Sequence, residues 1–211
     1  MLRADNEEMV VISVVENRAR EVCISRMDTR NTTSIEIYTP CDNHAYTETL
    51  LLLSGLAPDE ILLPDSQRQK TLTKKITTLF PTTRVLFISR QYFDQDRGAD
   101  LLNHVVIGHI DRDVVSKYIV LAGTFCLLRY VENCSGQIFP SNSMRLCYGS
   151  SYSGKMIIDR RTALNLELVQ NTRTGSQKDS LFGVLNFTKT AVGASLLRKN
   201  VLNPSSGSIY F

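Results

Sequence analysis

Three apolar, β-branched stretches joined by short polar turns, followed by alternating helix-like and strand-like segments, constrain this 211-residue chain most tightly. Residues 9–15 are almost wholly apolar and β-branched, which predicts a buried strand. A turn over 17–20 leads to a second strand at 21–27. A third follows at 33–39, with Ile35 and Ile37 on one face, and Pro40 ends it. Asp42 or Asn43 then opens a helix running to Leu53. Residues 60–63 form a short buried strand before Pro64. Asp65 or Ser66 starts a basic amphipathic helix to Leu79, residues 84–89 a fifth strand, and residues 94–106 a further helix. Short connections favour an antiparallel ribbon for the first three strands. Helical crossovers favour parallel strands beside it.

That order, three antiparallel strands and then α-β-α-β-α, resembles an RNase H-like fold. The fold class expected is therefore a mixed α/β domain over 1–110, followed by helical structure over 111–211. A helix from about Asp113 to Val131 is apolar on so many sides that it should be largely buried. Residues 146–148 and 156–158 read as a small hairpin.

Several function classes are disfavoured by composition. The N-terminal eight residues lack the apolar core of a secretion signal. The longest uncharged apolar run lies between Lys117 and Arg129 and is too short to span a bilayer. Five cysteines without a C-x-x-C pair, and three histidines away from ligand spacing, argue against a disulfide framework and a zinc site. Reduced thiols fit the cytosol or nucleus. Charge is uneven: residues 155–211 carry eight Lys/Arg against three Asp/Glu, residues 1–154 carry 16 against 18. The C-terminal part is thus the one suited to face a polyanion.

Three chemistries deserve weighing. Gly149, Gly154 and Lys155 match G-x-x-x-x-G-K, a loop whose backbone N–H groups cradle phosphates while Lys reaches their terminal oxygens. Met156 follows where a Ser or Thr would bind Mg²⁺, and the stretch after it is strand-like rather than helical, so the match reads as a false one. A two-metal nuclease of the RNase H type needs a carboxylate in its first strand. Asp65, Asp96 and Asp100 stand at the other positions, but the first strand offers none before Glu16. Arg68, Lys70, Lys74 and Lys75, with Arg90, Tyr92 and Phe93, could contact DNA phosphates, although a solvated face explains them as well. No residue set points to a catalytic site, a cofactor site or a metal site.

The C-terminal part carries the longest patterned block. Asp159, Thr162, Asn165, Leu166, Glu167 and Leu168 read D-x-x-T-x-x-N-L-E-L. Ser180, Leu181, Leu185, Thr188 and Thr190 read S-L-x-x-x-L-x-x-T-x-T, and Gly193 opens G-x-S-L-L-R. Physically, Asp159 suits an N-cap for a helix over 162–169 with Leu164 and Leu168 on one face. Asp179 or Ser180 caps the next helix, placing Leu181, Val184 and Leu185 together. Thr190 caps a third with Val192, Leu196 and Leu197. The residues cap and pack; none is an evident nucleophile or ligand.

This block resembles the opening of the helical core of MutS-family proteins, the clamps of DNA mismatch repair. Ser195 departs from the Arg usual in that family, and residues 205–211 depart from its usual continuation. Residues 90–93, 127–132 and 181–190 are similar to the meiotic branch of the family. The resemblance implies a connector domain over 1–110 and the start of a core domain over 111–211, both part of a longer nuclear protein. It further implies a clamp on branched or mismatched duplex DNA, pairing with MutS homologue five. MutL-type proteins are expected partners and a membrane is not. ATP and Mg²⁺ are expected in a C-terminal domain of the full-length family, so that this chain by itself is not an enzyme. A mismatch-repair subunit fragment, or a regulatory interaction module, stands as the alternative.

Overall fold

A computed structural model describes residues 9–29, 31–108, 110, 116–136, 138–149, 156, 158 and 160–205. Six strands form one mixed sheet: β1 (Val10–Glu16), β2 (Val22–Asp28), β3 (Asn31–Tyr38), β4 (Glu60–Pro64), β5 (Arg84–Ile88) and β6 (Arg145–Gly149). Their order is β5-β4-β1-β2-β3-β6. β1, β2 and β3 are antiparallel neighbours; β4 joins β1, and β5 joins β4, in parallel. The five strands expected from the patterning are all present, with the expected directions.

The first turn is tight because Asn17 and Glu21 exchange main-chain and side-chain hydrogen bonds across it. Arg20 there takes a positive φ of 65°. Of the helices, α1 (Thr47–Leu56) starts later than Asp42 or Asn43. Asp42 still acts as its cap from a distance, its carboxylate oxygens accepting from the N–H groups of Glu48 at 3.0 Å and Thr49 at 2.7 Å. The helix expected from Asp65 is also interrupted. A single 3₁₀ turn over Asp65–Gln67 precedes α2 (Thr71–Leu79). Gln67 is drawn inward to bond the main chain of Glu16, and the chain restarts its helix beyond it. Helix α3 (Gln95–Val105) begins as expected, with Asp94 accepting from the N–H groups of Asp96 and Arg97.

The long buried helix is α4 (Tyr118–Ser135), closed by Gly136 at φ 66° in the left-handed conformation that favours glycine. It begins later than Asp113, which lies outside the described residues, and runs past Val131. Its near-continuous apolar surface is buried because it packs on β1, β2 and α3 together. Gly123 faces the side chains of Val15, Ser25 and Ser13, and Thr124 shares a 3.1 Å hydroxyl contact with Ser25. Gly98 of α3 meets the Leu121 carbonyl, where an added Cβ would sit 2.5 Å from the oxygen.

This packing places α4 with the sheet. The contacts divide the chain into one unit of residues 1–49 and 57–151 and another of residues 50–56 and 152–211. The hairpin expected between 146–148 and 156–158 is not what β6 forms. β6 pairs in parallel with β3, Ser34 opposite Arg145 and Tyr38 opposite Gly149. Residue 157 lies outside the described residues, and the Met156 N–H donates to the Pro204 carbonyl instead.

The second unit contains three further helices: α5 (Arg160–Asn165), α6 (Leu181–Leu185) and α7 (Ala191–Leu202). Helix α5 is shorter than the 162–169 expected, because Glu167 turns to a positive φ of 50° and ends it. Ser180, rather than Asp179, caps α6 by accepting from Gly183 N–H, and Thr190 caps α7 through Gly193 N–H.

Candidate functional site

The patterned block is built around Glu167. Its left-handed backbone swings the carboxylate onto the following loop. Asn171 Nδ2 donates to Oε2 at 2.9 Å, while the N–H and hydroxyl of Thr172 donate to Oε1 at 2.8 and 2.5 Å. These Thr172 bonds hold the Glu167 carboxyl below its ordinary range. Asn171 Oδ1 in turn accepts from the N–H groups of Arg173 and Thr174, closing a polar knot. Two main-chain bonds, Leu181 N–H to the Glu167 carbonyl and Phe182 N–H to the Leu168 carbonyl, fasten the start of α6 alongside.

The other block residues hold ends and turns. Ser180 is buried and its hydroxyl also donates to the Gln177 carbonyl. Gly183 has no room for a Cβ against the Gln177 and Lys178 carbonyls. Thr188 donates its hydroxyl to Asn186, and the Thr162 carbonyl accepts from Leu166 N–H. Asn165 ends α5. The apolar faces differ from expectation. Leu168 is buried but Leu164 is not, and in α6 the buried residue is Phe182, while Leu181, Val184 and Leu185 are exposed. The Phe182 N–H bond to the Leu168 carbonyl, fourteen positions back, turns that side of α6 inward. Leu166 is likewise exposed, and Asp159 lies outside the described residues.

The sheet unit holds three carboxylate arrangements, around buried Glu16, buried Glu60 and half-buried Glu36. At the end of β1, Glu16 receives the Tyr46 hydroxyl at 2.6 Å and lies 3.2 Å from Lys70 Nζ. Burial and this bond to a carboxylate push the Tyr46 phenol up to about 12. At the start of β4, Glu60 accepts from Arg84 at 2.8 Å and from the Tyr130 hydroxyl at 2.6 Å. On β2 and β3, buried Arg26 pairs with Glu36 at 2.6 Å, and the Tyr38 hydroxyl joins the same Glu36 oxygen. Sequence patterning singled out Glu16 only as the first carboxylate met along the first strand. Its partners Tyr46, Gln67 and Lys70 lie 30 to 54 positions away, and no local signal marks them.

These arrangements do not gather a two-metal site. Glu16 is already bound by Lys70 and Tyr46, Asp65 pairs with Arg68 at 2.9 Å, and Asp96 and Asp100 are exposed on α3. Among the described residues, no group of three or more His, Cys, Asp or Glu side chains could hold a metal ion. The glycine-rich match fits a phosphate cradle no better. Gly149 is a strand residue paired with Tyr38, whose ring occupies the space a Cβ would need. Gly154 and Lys155 lie outside the described residues.

The basic residues do converge. β1, β4 and β5 run parallel and adjacent, so the turn carrying Arg18 and Arg20, the segment carrying Arg68, Lys70, Lys74 and Lys75, and the turn carrying Arg90 and Tyr92 share one end of the sheet. The Arg68 guanidinium stacks 4.2 Å from the Phe87 ring centroid. Lys75 Nζ donates to the Ala45 carbonyl, and Arg20 contacts His44. Phe93 packs against the core instead of joining this surface.

Residues 161–208 match the family described as MutS domain III. The chain is similar to MutS protein homolog 4 of Homo sapiens, 33% identical over 205 residues, covering 92% of this chain and 22% of that protein. It is also similar to the DNA mismatch repair protein MSH4 of Arabidopsis thaliana, 27% identical over 92% of this chain and 26% of that protein. The DNA mismatch repair protein MutS of Finegoldia magna is 28% identical over 90% of this chain and 21% of its own length. The chain thus spans about a fifth to a quarter of the length of these relatives. With the block of residues 161–208 matched and this agreement extending over the sheet before it, the chain belongs to the MutS family.

Proposed function

We propose that this chain is a piece of a MutS-family DNA clamp acting in meiotic recombination. In this reading its mixed sheet is an RNase H-like connector domain, and its C-terminal helices begin the all-α core. The intact protein works in the nucleus, pairs with MutS homologue five on branched recombination intermediates, promotes crossovers and offers a surface to MutL-type proteins. ATP and Mg²⁺ binding belong to a further domain of the full-length protein, and this chain by itself is no ATPase. The supporting observation is its 33% identity, over nearly the whole chain, to a protein named MutS protein homolog 4. A positioning role fits the architecture, since Glu16, Glu60 and Arg26 are engaged by other side chains and Ser180 and Thr190 hold helix ends.

A second reading, a mismatch-repair subunit, draws support from the 28% identity to a bacterial mismatch repair MutS over 90% of the chain. Disrupting the gene in its own organism separates the two. The meiotic reading expects fewer crossovers and an unchanged spontaneous mutation rate. A raised mutation rate with normal crossovers would replace it with the repair reading.

A further inference from the structure

We infer that the carboxyl ends of β1, β4 and β5 form a contact surface for the phosphodiester backbone of nucleic acid, with Arg18, Lys74 and Arg90 as its phosphate-binding side chains. The first support is charge segregation within one unit. Residues 1–154 carry a slight excess of acid, yet the segments 17–21, 65–75 and 89–92 together hold seven Lys/Arg and only two acidic residues, Glu21 and Asp65. Asp28, Asp59 and Glu60 collect at the opposite end of the same strands. A mixed, solvated surface would show no such polarity.

The second support is which cations are free. Lys70 is committed to buried Glu16, Arg68 to Asp65 and the Phe87 ring, and Lys75 to a main-chain carbonyl. Arg18, Lys74 and Arg90 are exposed and enter none of the ion pairs among the described residues. All three residues are exposed to solvent.

The third is spacing. The three segments follow adjacent strands in the order β5-β4-β1. Strands about 4.8 Å apart put the outer two roughly 10 Å from each other. Successive phosphates on one strand of a duplex lie about 7 Å apart through space, so such a row meets about two phosphates in succession. Tyr92, exposed beside Arg90, adds a ring on which an unpaired base can stack. An acidic peptide would need apolar anchors seated in pockets, and Tyr92 is the sole large exposed apolar side chain of these segments among the described residues. This inference rests on the sheet alone and does not depend on the meiotic reading.

The test measures binding of the whole chain to fluorescent duplex and single-stranded DNA by anisotropy, at rising salt. The variant Arg18→Glu/Lys74→Glu/Arg90→Glu is expected to bind at least about tenfold more weakly at low salt. Its slope of log K against log salt should be shallower by roughly 2–3. Circular dichroism melting verifies its fold, and the Gln versions of the same exposed positions serve if the Glu variant does not fold. The control Arg173→Glu/Lys178→Glu/Lys189→Glu changes net charge equally in the other unit and should bind nearly as the parent does. The inference fails if the parent does not bind at low salt, or if the first variant is unaffected. It also fails if the control loses as much, or if polyglutamate competes as well as DNA at equal charge.

Discussion

Cys23 and Cys126 lie on the buried side of the sheet and within α4, whereas Cys41, Cys134 and Cys147 are exposed. Burial pushes both buried thiols up to about 12 from an ordinary value of 9.0. Their thiolates are therefore disfavoured in the fold and freely formed in the unfolded chain. The stability they contribute is complete below about pH 9 and is lost as pH rises from there to about 12. Iodoacetamide at pH 8 should label three cysteines per chain promptly and the remaining two only after denaturant is added. Prompt labelling of four or five by mass spectrometry would contradict the placement of α4 on the sheet. Residue chemistry of this kind was partly legible beforehand: reduced thiols followed from count and spacing. Which thiols are buried did not, because Cys23 owes its burial to a helix that begins about a hundred positions later.

At the scale of elements, periodicity located the strands and most helices because each carries its own pattern of apolar and polar residues. Capping residues located α3, α6 and α7 for the same reason: Asp94, Ser180 and Thr190 bond N–H groups within three positions. What escaped were features set at long range. Helix α1 is capped by an aspartate five positions before its first residue, and α2 is delayed because Gln67 serves the end of β1. The side of α6 that turns inward is set by a main-chain bond to Leu168, which the pattern of α6 itself does not carry. The interface between α3 and α4 makes a sharp demand here. Gly98→Ala sets a methyl group against the Leu121 carbonyl, and should cost about 1–3 kcal/mol in urea unfolding. Gly108→Ala, with open space around it but a φ of 86°, tests backbone strain by itself and is expected to cost less.

Across the whole molecule the two units differ in how completely they enclose apolar surface. The sheet unit buries its strands between helices, while the second unit exposes Phe187 at 84%, Val192 at 80% and Val184 at 64%. Apolar exposure on this scale binds amphiphilic dyes and promotes association. Phe187→Ser with Val192→Ser should lower anilinonaphthalene sulfonate fluorescence and light scattering by about half or more, with the melting of the sheet unit unchanged. Equal dye binding by the double variant would place the sticky surface elsewhere. Whole-molecule organisation was the level least accessible to patterning. The family block announced itself through residues that cap and pack, but the end of the sheet unit depends on β6, whose partner β3 lies more than a hundred positions earlier.

β6 also has a consequence for how the protein is made. Ser34 and Arg145 sit side by side in the sheet although 111 positions separate them. A ribosome adding about 5–20 residues each second needs roughly 5–20 s to travel between them. Throughout that interval the outer edge of β3, with Ile35 and Ile37 behind it, is an open template for any passing strand. The risk of mispairing during synthesis is therefore concentrated on one strand edge, and it ends only when the chain has reached Gly149.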